Sequence, residues 1–535
     1  MMKRQDFAGL PALIRLALRR DRTRLIVWFV VFTLMVVAIA AGNGDIDPAE
    51  RLEMIRNTVT NPGMRIMLGP VNPEMVGNLG AFFLIRMSFL LTIVLALFST
   101  GTVLRHTRHN EETGCHEMLG AMVTGRFAAL SAAIIVAMLG NGLLGLGLII
   151  GLLASGVVFT GTLIAGLTYV LLGFIFTGMA AVTAQLSSST RGAAGLAHIG
   201  LAIVFMVNAI GNVSGTVLPD ASGYDSAWPV WLSPMGWAQQ VAPYDVARIE
   251  LWLLFIVLFI GLIAAAGILV NRRDVGQGIL AARAGKKTAA PWLKGSFGLV
   301  YKLERISFLA WFVPLIFIAL IFGASSESYG SSMQDIDFFE EIFAASAAFF
   351  RFMLLSLGAL AVTVFAVGTV LRLRAEENGG PLEAVLATPT HRSRVLLAQV
   401  LFAWVAAWLM MMVMALGIGV SAGVDAAGMA ELIRAALRQY IGIVLVSGGA
   451  VACFGFLPRQ ATLLSWLVVG VAALTGPFLG PILNLPDVLQ SFSPFTHIAI
   501  MPGEASHNIL VLLILVAGVA TGLGFLGFSR RNMAF

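Results

Sequence analysis

Two short stretches hold the residues best suited to chemistry. Glu111, Glu112 and Glu117 fall within seven residues, and Glu376, Glu377 and Glu383 within eight. Arginines precede each set, Arg105 and Arg108 in the first and Arg372 and Arg374 in the second, and a further arginine closes each, Arg126 and Arg392. Carboxylates early in a short helix are favoured by its dipole and can pair with Arg or Lys on another protein. The alternative is local pairing with Arg105, Arg108, Arg372 and Arg374 that only tidies the helix ends. His106, His109, Cys115 and His116 stand near Glu111 and are zinc-type donors. The second stretch has only His391 nearby, so no metal site is expected. No phosphate-binding loop is present: Gly285-Lys286-Lys287 lacks both the spacing and the hydroxyl. Neither His-Glu-x-x-His, paired aspartates nor Gly-x-Ser-x-Gly occurs, so no catalytic residue is assigned and the chain reads as a non-enzyme without a cofactor of its own.

The elements that must position these stretches are apolar. Of 535 residues, 58% are hydrophobic and 12% charged, with a mean hydropathy of +0.90, whereas soluble domains are about 25% charged. A soluble enzyme is excluded. Runs long enough to cross a hydrocarbon core of about 30 Å lie near 25–42, 80–104, 127–156, 161–186, 194–213, 250–270, 306–323, 346–371, 396–422, 432–456, 460–480 and 508–528. The expected fold is an all-α polytopic membrane protein with twelve transmembrane helices and both termini on one side. On that side fall 26 of the 34 Lys and Arg and 10 of the 28 Asp and Glu, a net +16 against −10 on the other. The excess of Lys and Arg makes the termini cytoplasmic. The pI of 9.6 is thereby a matter of topology, not nucleic acid. Six of the ten cytoplasmic acids are the glutamates above. Cys115 and Cys453 form no disulfide framework, and no cleavable signal peptide is evident.

The chain repeats itself. Gly101-Thr-Val-Leu-Arg105 recurs as Gly368-Thr-Val-Leu-Arg372, 267 residues on, followed by Glu111-Glu112-Thr-Gly114 and by Glu376-Glu377-Asn-Gly379 after a two-residue deletion. Trp28-Phe-Val matches Trp311-Phe-Val, and Asp21-Arg22 matches Glu304-Arg305. Leu218-Pro-Asp220 matches Leu485-Pro-Asp487; Ser233-Pro234 matches Ser493-Pro494; and Arg191 matches Arg459. These collinear matches predict two six-helix repeats in parallel orientation, related by a pseudo-twofold along the membrane normal. The predicted organisation is a cytoplasmic amphipathic segment (1–24), a first half (25–270), a cytoplasmic linker (271–298) and a second half (299–535). Residues 7–20 read either as an interfacial helix or as a basic flank that only sets topology.

Within the spans, Arg86 and Arg351 stand 15 and 17 residues before Gly101 and Gly368, about 22–26 Å along a helix. They either snorkel or pair with outer acids such as Glu74, Glu340 and Glu341, or form an exit-side cluster on a substrate path. Met87, Phe89, Phe352 and Met353 beside them would line such a path or face lipid and neighbouring helices. Residues 43–78 and 324–345 read as short external helices.

The arginine-glutamate loops after spans 2 and 8, with the Ser-Pro pairs, resemble those of permeases of the ATP-binding-cassette exporter superfamily. The resemblance covers nearly the whole chain and is nearest to the fused two-half antibiotic exporters of the tetronasin and polyketide type. It implies a bacterial cytoplasmic-membrane permease that exports antibiotics, other drugs or lipids. Two copies of a separate nucleotide-binding subunit would supply ATP and Mg. Coupling to that subunit would fall to Arg105, Glu111, Glu112, Gly114, Glu117 and Arg126, and to Arg372, Glu376, Glu377, Gly379, Glu383 and Arg392. Arg191 and Arg459 would make secondary contacts. The outer loops 213–249 and 480–507 would form broken, partly re-entrant helices. Pro381 adds a residue before Glu383, so the two loops would seat differently. The alternative is an ion-coupled secondary transporter of the major facilitator kind. Against it stand the scarcity of Asp, Glu and Lys in mid-span and the acidic character of the loop after span 2.

Overall fold

The computed structural model describes residues 4–44, 46–60, 65–66, 68–71, 77–120, 123–219, 222–274, 276–280, 288, 290–324, 326, 347–477, 486–498 and 507–531. The chain divides into two compact units, Met1–Gly285 and Lys286–Phe535. In unit 1 the order is α1 (Leu10–Gly44), α2 (Pro48–Thr60), α3 (Leu79–His106), α4 (Arg108–Glu112), α5 (Cys115–Gly120), α6 (Ala128–Ala154), α7 (Phe159–Leu186), α8 (Thr190–Val213), a hairpin of β1 (Thr216–Val217) and β2 (Tyr224–Asp225), α9 (Pro234–Gln240) and α10 (Trp252–Asn271). Unit 2 holds α11 (Ser296–Ala324), α12 (Ala347–Gly379), α13 (Pro381–Leu386), α14 (Arg392–Ser421), α15 (Ala426–Phe456), α16 (Ala461–Leu474), α17 (Asp487–Gln490) and α18 (His507–Arg530).

Among the described residues, eleven helices are long and apolar enough to cross a membrane. The protein is therefore α-helical and polytopic. The predicted span 460–480 starts as α16, whose 14 residues reach about 21 Å, and ends at 478–480, outside the described residues. Glu74, Asp220, Glu340, Glu341, Leu485, the 327–345 part of the second external helix and the Gly285-Lys286-Lys287 segment also lie outside them. Within 43–78 the described residues hold α2. The described residues of 213–249 form α9, a 3-10 turn at Trp228–Leu232 and the hairpin, a small strand pair that the sequence did not suggest.

Residues 10–20 belong to one continuous 35-residue helix with the first span. Pro11 sits in the first turn, where it is tolerated, and no glycine falls within the helix before Gly42. The inward stripe of Leu13, Ala17, Asp21 and Leu25 recurs every fourth residue, and Leu13 packs on Ala128 and Ala132 of α6. This stripe is covered by protein.

The same helix pairs pack in both units. In unit 1, α1 lies against α6, α3 against α7, α6 against α7, and α7 against α10. In unit 2, α11 lies against α14, α12 against α15, α14 against α15, and α15 against α18. Several buried polar groups inside are paired, as an apolar surrounding favours. Asn141 donates to Ser99 Oγ at 2.9 Å, to Thr177 Oγ1 at 3.1 Å and to the Ala137 carbonyl at 3.0 Å. Ser233 Oγ donates to the Val204 carbonyl on α8 at 2.7 Å, and Ser493 Oγ to the Ala472 carbonyl on α16 at 2.8 Å.

Helices α15 and α18 approach most closely where both carry glycine. A Cβ on Gly455 would stand 2.3 Å from the Gly524 carbonyl oxygen, and one on Gly524 would stand 2.5 Å from the Val451 carbonyl carbon. Small residues at such crossings let helix backbones meet. Gly455→Val and Gly524→Val should each force the pair apart and cost ~1–3 kcal/mol, seen as lower thermal unfolding temperatures in detergent. Val at Gly449, which faces open space, should leave the temperature nearly unchanged.

Candidate functional site

In each unit the helix ends that carry the arginine-glutamate loop are tied together by a buried carboxylate on the unit's first long helix. Asp21 on α1 is 1% exposed and pairs with Arg105 at 3.1 Å, His106 at 2.7 Å and Arg24 at 3.9 Å. Glu304 on α11 is likewise buried and pairs with Arg372 at 3.0 Å. Gln399 Nε2 donates to Glu304 at 3.2 Å and to the Thr369 carbonyl at 2.7 Å. Arg105 and Arg372 thus close the second long helix of each unit onto the first.

A second set of charges lies just beyond. Arg108 is fully buried and pairs with Glu111 at 2.8 Å; Glu111 in turn pairs with Arg273, past the end of α10, at 2.6 Å. The Arg108 guanidinium also bonds the Ala184 carbonyl on α7 and, at 2.8 Å, the Gln277 carbonyl. Arg273 Nε donates to Gln185 Oε1 at 2.6 Å. In unit 2 the matching set is Arg374, Glu377 and Arg531. Glu377 meets Arg374 at 3.1 Å and Arg531, past the end of α18, at 2.7 Å. Arg531 donates to the Phe454 carbonyl on α15 at 3.0 Å and lies over the Phe454 and Phe528 rings at 4.6 and 5.1 Å. Burial pulls the Arg531 guanidinium below its ordinary pKa, and the Glu377 carboxylate opposes that fall.

Arg126 donates to the Val270 carbonyl at the end of α10 at 2.8 Å. Arg392 donates to the Arg531 carbonyl at 3.1 Å. Glu112 accepts from the Thr190 backbone N–H at 2.9 Å and from its hydroxyl, and so caps α8. Glu376 pairs with Arg372 at 3.3 Å. Glu111, Glu112, Glu376 and Glu377 are therefore held within their own unit, whereas Glu117, Glu383, Arg191 and Arg459 are exposed.

The register differs from the sequence alignment. Matching the Glu-Glu pairs sets Glu376 opposite Glu111, but Glu377 takes the Glu111 position, because each lies three residues after the first arginine of its triad. The left-handed turn shifts too: Gly114 has φ +71, and its counterpart is Gly380 at +92, not Gly379. In unit 1, Gly114 separates α4 from α5. In unit 2, Gly380 separates α12 from α13, where Pro381 occupies the first turn.

Arg86 donates to Asn43 Oδ1 at 3.2 Å and lies over the Phe82 ring at 5.3 Å. Arg351 donates to Ser326 Oγ at 3.0 Å. Phe89 meets Phe205 of α8 at 4.6 Å between centroids. Met87 packs on the core of unit 1, Phe352 is buried in the core of unit 2, and Met353 packs on that core. No group of three His, Cys, Asp or Glu converges among the described residues.

Sequence reasoning missed the roles of Asp21, Glu304, Arg273 and Arg531. A signal was present: the sixth and twelfth predicted spans both run into an arginine pair, Arg272-Arg273 and Arg530-Arg531.

The family model for the C-terminal domain of multidrug efflux system permease Rv1217c matches residues 293–529. Across 98% of its length the chain is similar to the multidrug efflux system permease protein Rv1217c of Mycobacterium tuberculosis (strain ATCC 25618 / H37Rv), 30% identical over 545 residues and covering 96% of that protein. The chain belongs to the Rv1217c permease family. Its members' shared C-terminal domain corresponds to nearly all of unit 2, including Glu304, Arg372 and the helices that frame Glu377.

Removing either buried carboxylate takes away the anion that ties two helix ends together. Asp21→Ala and Glu304→Ala should each cost about 1.5–3 kcal/mol, the scale of hydrogen bonds to a charged group, read as lowered thermal stability of the purified permease. Asp21→Glu should retain most of it. Equal stability of Asp21→Ala and the parent protein would show that the pair carries no load.

Proposed function

We propose that this permease is the membrane subunit of an ATP-driven exporter of hydrophobic or amphiphilic drugs, of the fused two-half ATP-binding-cassette kind. The observation that carries the reading is the similarity over 98% of the chain to a protein named a multidrug efflux system permease. The chain would hold no catalytic residue. Two copies of a separate ATPase subunit would bind ATP and Mg and seat against the loops after the second and eighth spans. On this reading the termini are cytoplasmic, the membrane is the bacterial cytoplasmic one, and residues 25–270 and 299–535 are parallel six-helix repeats about a pseudo-twofold along the membrane normal, joined by the linker 271–298. The repeat reading is supported by the equivalent helix pairings, by the matching Asp21-Arg105 and Glu304-Arg372 pairs, and by the Ser233 and Ser493 bonds to the helices α8 and α16. Counting α16 as the shorter counterpart of α8 makes the number of spans twelve.

The geometry divides the loop residues into two kinds of work. Glu111, Glu112, Glu376 and Glu377, with Arg105, Arg126, Arg372 and Arg392, hold the loop's shape, and Gly114 and Gly380 turn it. Glu117 and Glu383 stand exposed beyond those turns and supply carboxylates to the ATPase. Met87 and Phe89 on α3, with Met353 beside the buried Phe352 on α12, are the adaptable apolar surface offered to drug, with Arg86 and Arg351 near its outer end.

Co-purification with an ATPase subunit followed by reconstitution tests the reading. The parent protein should recover the ATPase and move an amphiphilic dye only with ATP. Glu117→Arg combined with Glu383→Arg should weaken ATPase association about tenfold or more, equivalent to at least ~1.4 kcal/mol, with thermal stability unchanged. Dye transport driven by a proton gradient with no ATPase present would overturn the proposal in favour of an ion-coupled transporter.

A further inference from the structure

We infer that Arg273 and Arg531 are the positioning residues through which a displacement of each loop reaches the last helix of its unit, so that α10 and α18 are the helices that the ATPase moves. This rests on the coupling role proposed above for the loops.

Three observations carry it. First, the two triads are the same construction on different sequence. The second loop has lost two residues, lost its histidines and gained Pro381, yet the Arg-Glu-Arg arrangement is rebuilt by using Glu377 where a direct alignment offers Glu376. A contact that survives a change of register is constrained in its geometry and not merely in its charge. Second, each triad joins the loop to the end of a helix with one main neighbour. Helix α10 packs chiefly along α7, and α18 chiefly along α15; only 22% of the apolar stretch of each is buried. The loop's grip at Arg273 and Arg531 is thus a further handle on a helix with one main packing face. Third, the grip is stiff. Arg273 reaches Glu111 through two nitrogens, at 2.6 and 3.0 Å, and its Nε is fixed by Gln185. The Arg531 guanidinium is fixed by Glu377, the Phe454 carbonyl and two aromatic faces. Arg126 and Arg392 add a parallel bond from the start of the next long helix to the same helix end. A bidentate arginine, as at Arg273, or one fixed by several partners, as at Arg531, holds orientation as well as distance, which is what transmission of a small movement requires.

The test uses the full permease with its ATPase in proteoliposomes and reads three quantities: ATPase recovered, ATP hydrolysed, and dye moved per ATP. Arg273→Gln and Arg531→Gln should keep ATPase recovery and hydrolysis within twofold of the parent protein, while dye moved per ATP falls at least fivefold. Arg273→Lys and Arg531→Lys keep a cation beside Glu111 and Glu377 and should retain at least half of the parent ratio; their recovery with bound ATPase also controls for failure of the Gln variants to fold. An unchanged ratio of dye to ATP in Arg273→Gln and Arg531→Gln, with the ATPase still bound, overturns the inference and leaves the proposed function standing. Failure of the parent protein to bind any ATPase overturns both.

Discussion

The arrangement depends on one constraint: a charge removed from water must be met by an opposite charge that is also held in place. At the charged helix ends of each unit that constraint fixes which helices touch. Asp21 cannot be buried on α1 without the arginine and histidine that end α3. Glu304 cannot be buried on α11 without Arg372. These pairs set the height of the second long helix against the first, and everything carried by the following loop takes its position from there. The apolar packing is less selective by comparison, since apolar burial is non-directional, whereas a carboxylate and a guanidinium fit in few geometries.

The same reasoning explains why the two loops differ in sequence but agree in form. Each has to bring a carboxylate between two arginines that come from distant parts of the chain. Two deleted residues and an inserted proline were absorbed by passing the carboxylate role to the neighbouring glutamate and by moving the left-handed turn to the neighbouring glycine. The surface beyond the turn is not under that constraint, and there the halves diverge: α5 presents an exposed Met118, while α13 begins at Pro381 and buries Leu382.

Much of this was legible in the sequence, and the pattern of what was not is physical. Hydropathy located eleven of the long helices because a run of apolar residues has few other uses. Repeated words such as Gly101-Thr-Val-Leu-Arg105 located the loops. The charges were harder to read, because type and spacing along one helix do not reveal a partner 85 residues away, as in the contact of Asp21 with His106, or 162 away, as in that of Glu111 with Arg273. Glutamates that looked free to meet another protein are largely spent inside their own unit. The amphipathic look of residues 7–20 was real but misleading in its cause: the apolar stripe meets α6, a surface that periodicity cannot distinguish from lipid.

The Ser-Pro serines show how one hydroxyl can settle where a helix stops. Ser233 bonds the Val204 carbonyl in the interior of α8, an oxygen already engaged in the helix, which continues past it to Val213. Ser493 makes the same gesture toward Ala472, only two residues before α16 ends. There the hydroxyl supplies a hydrogen that the next turn of helix would otherwise have to provide. In unit 2 the anchored carbonyl belongs to the last turn of a 14-residue helix, whereas in unit 1 it lies well inside a 24-residue one. The same bond therefore fastens a loop to the middle of a rod in one unit and to the tip of a rod in the other, where loosening it would also fray the helix.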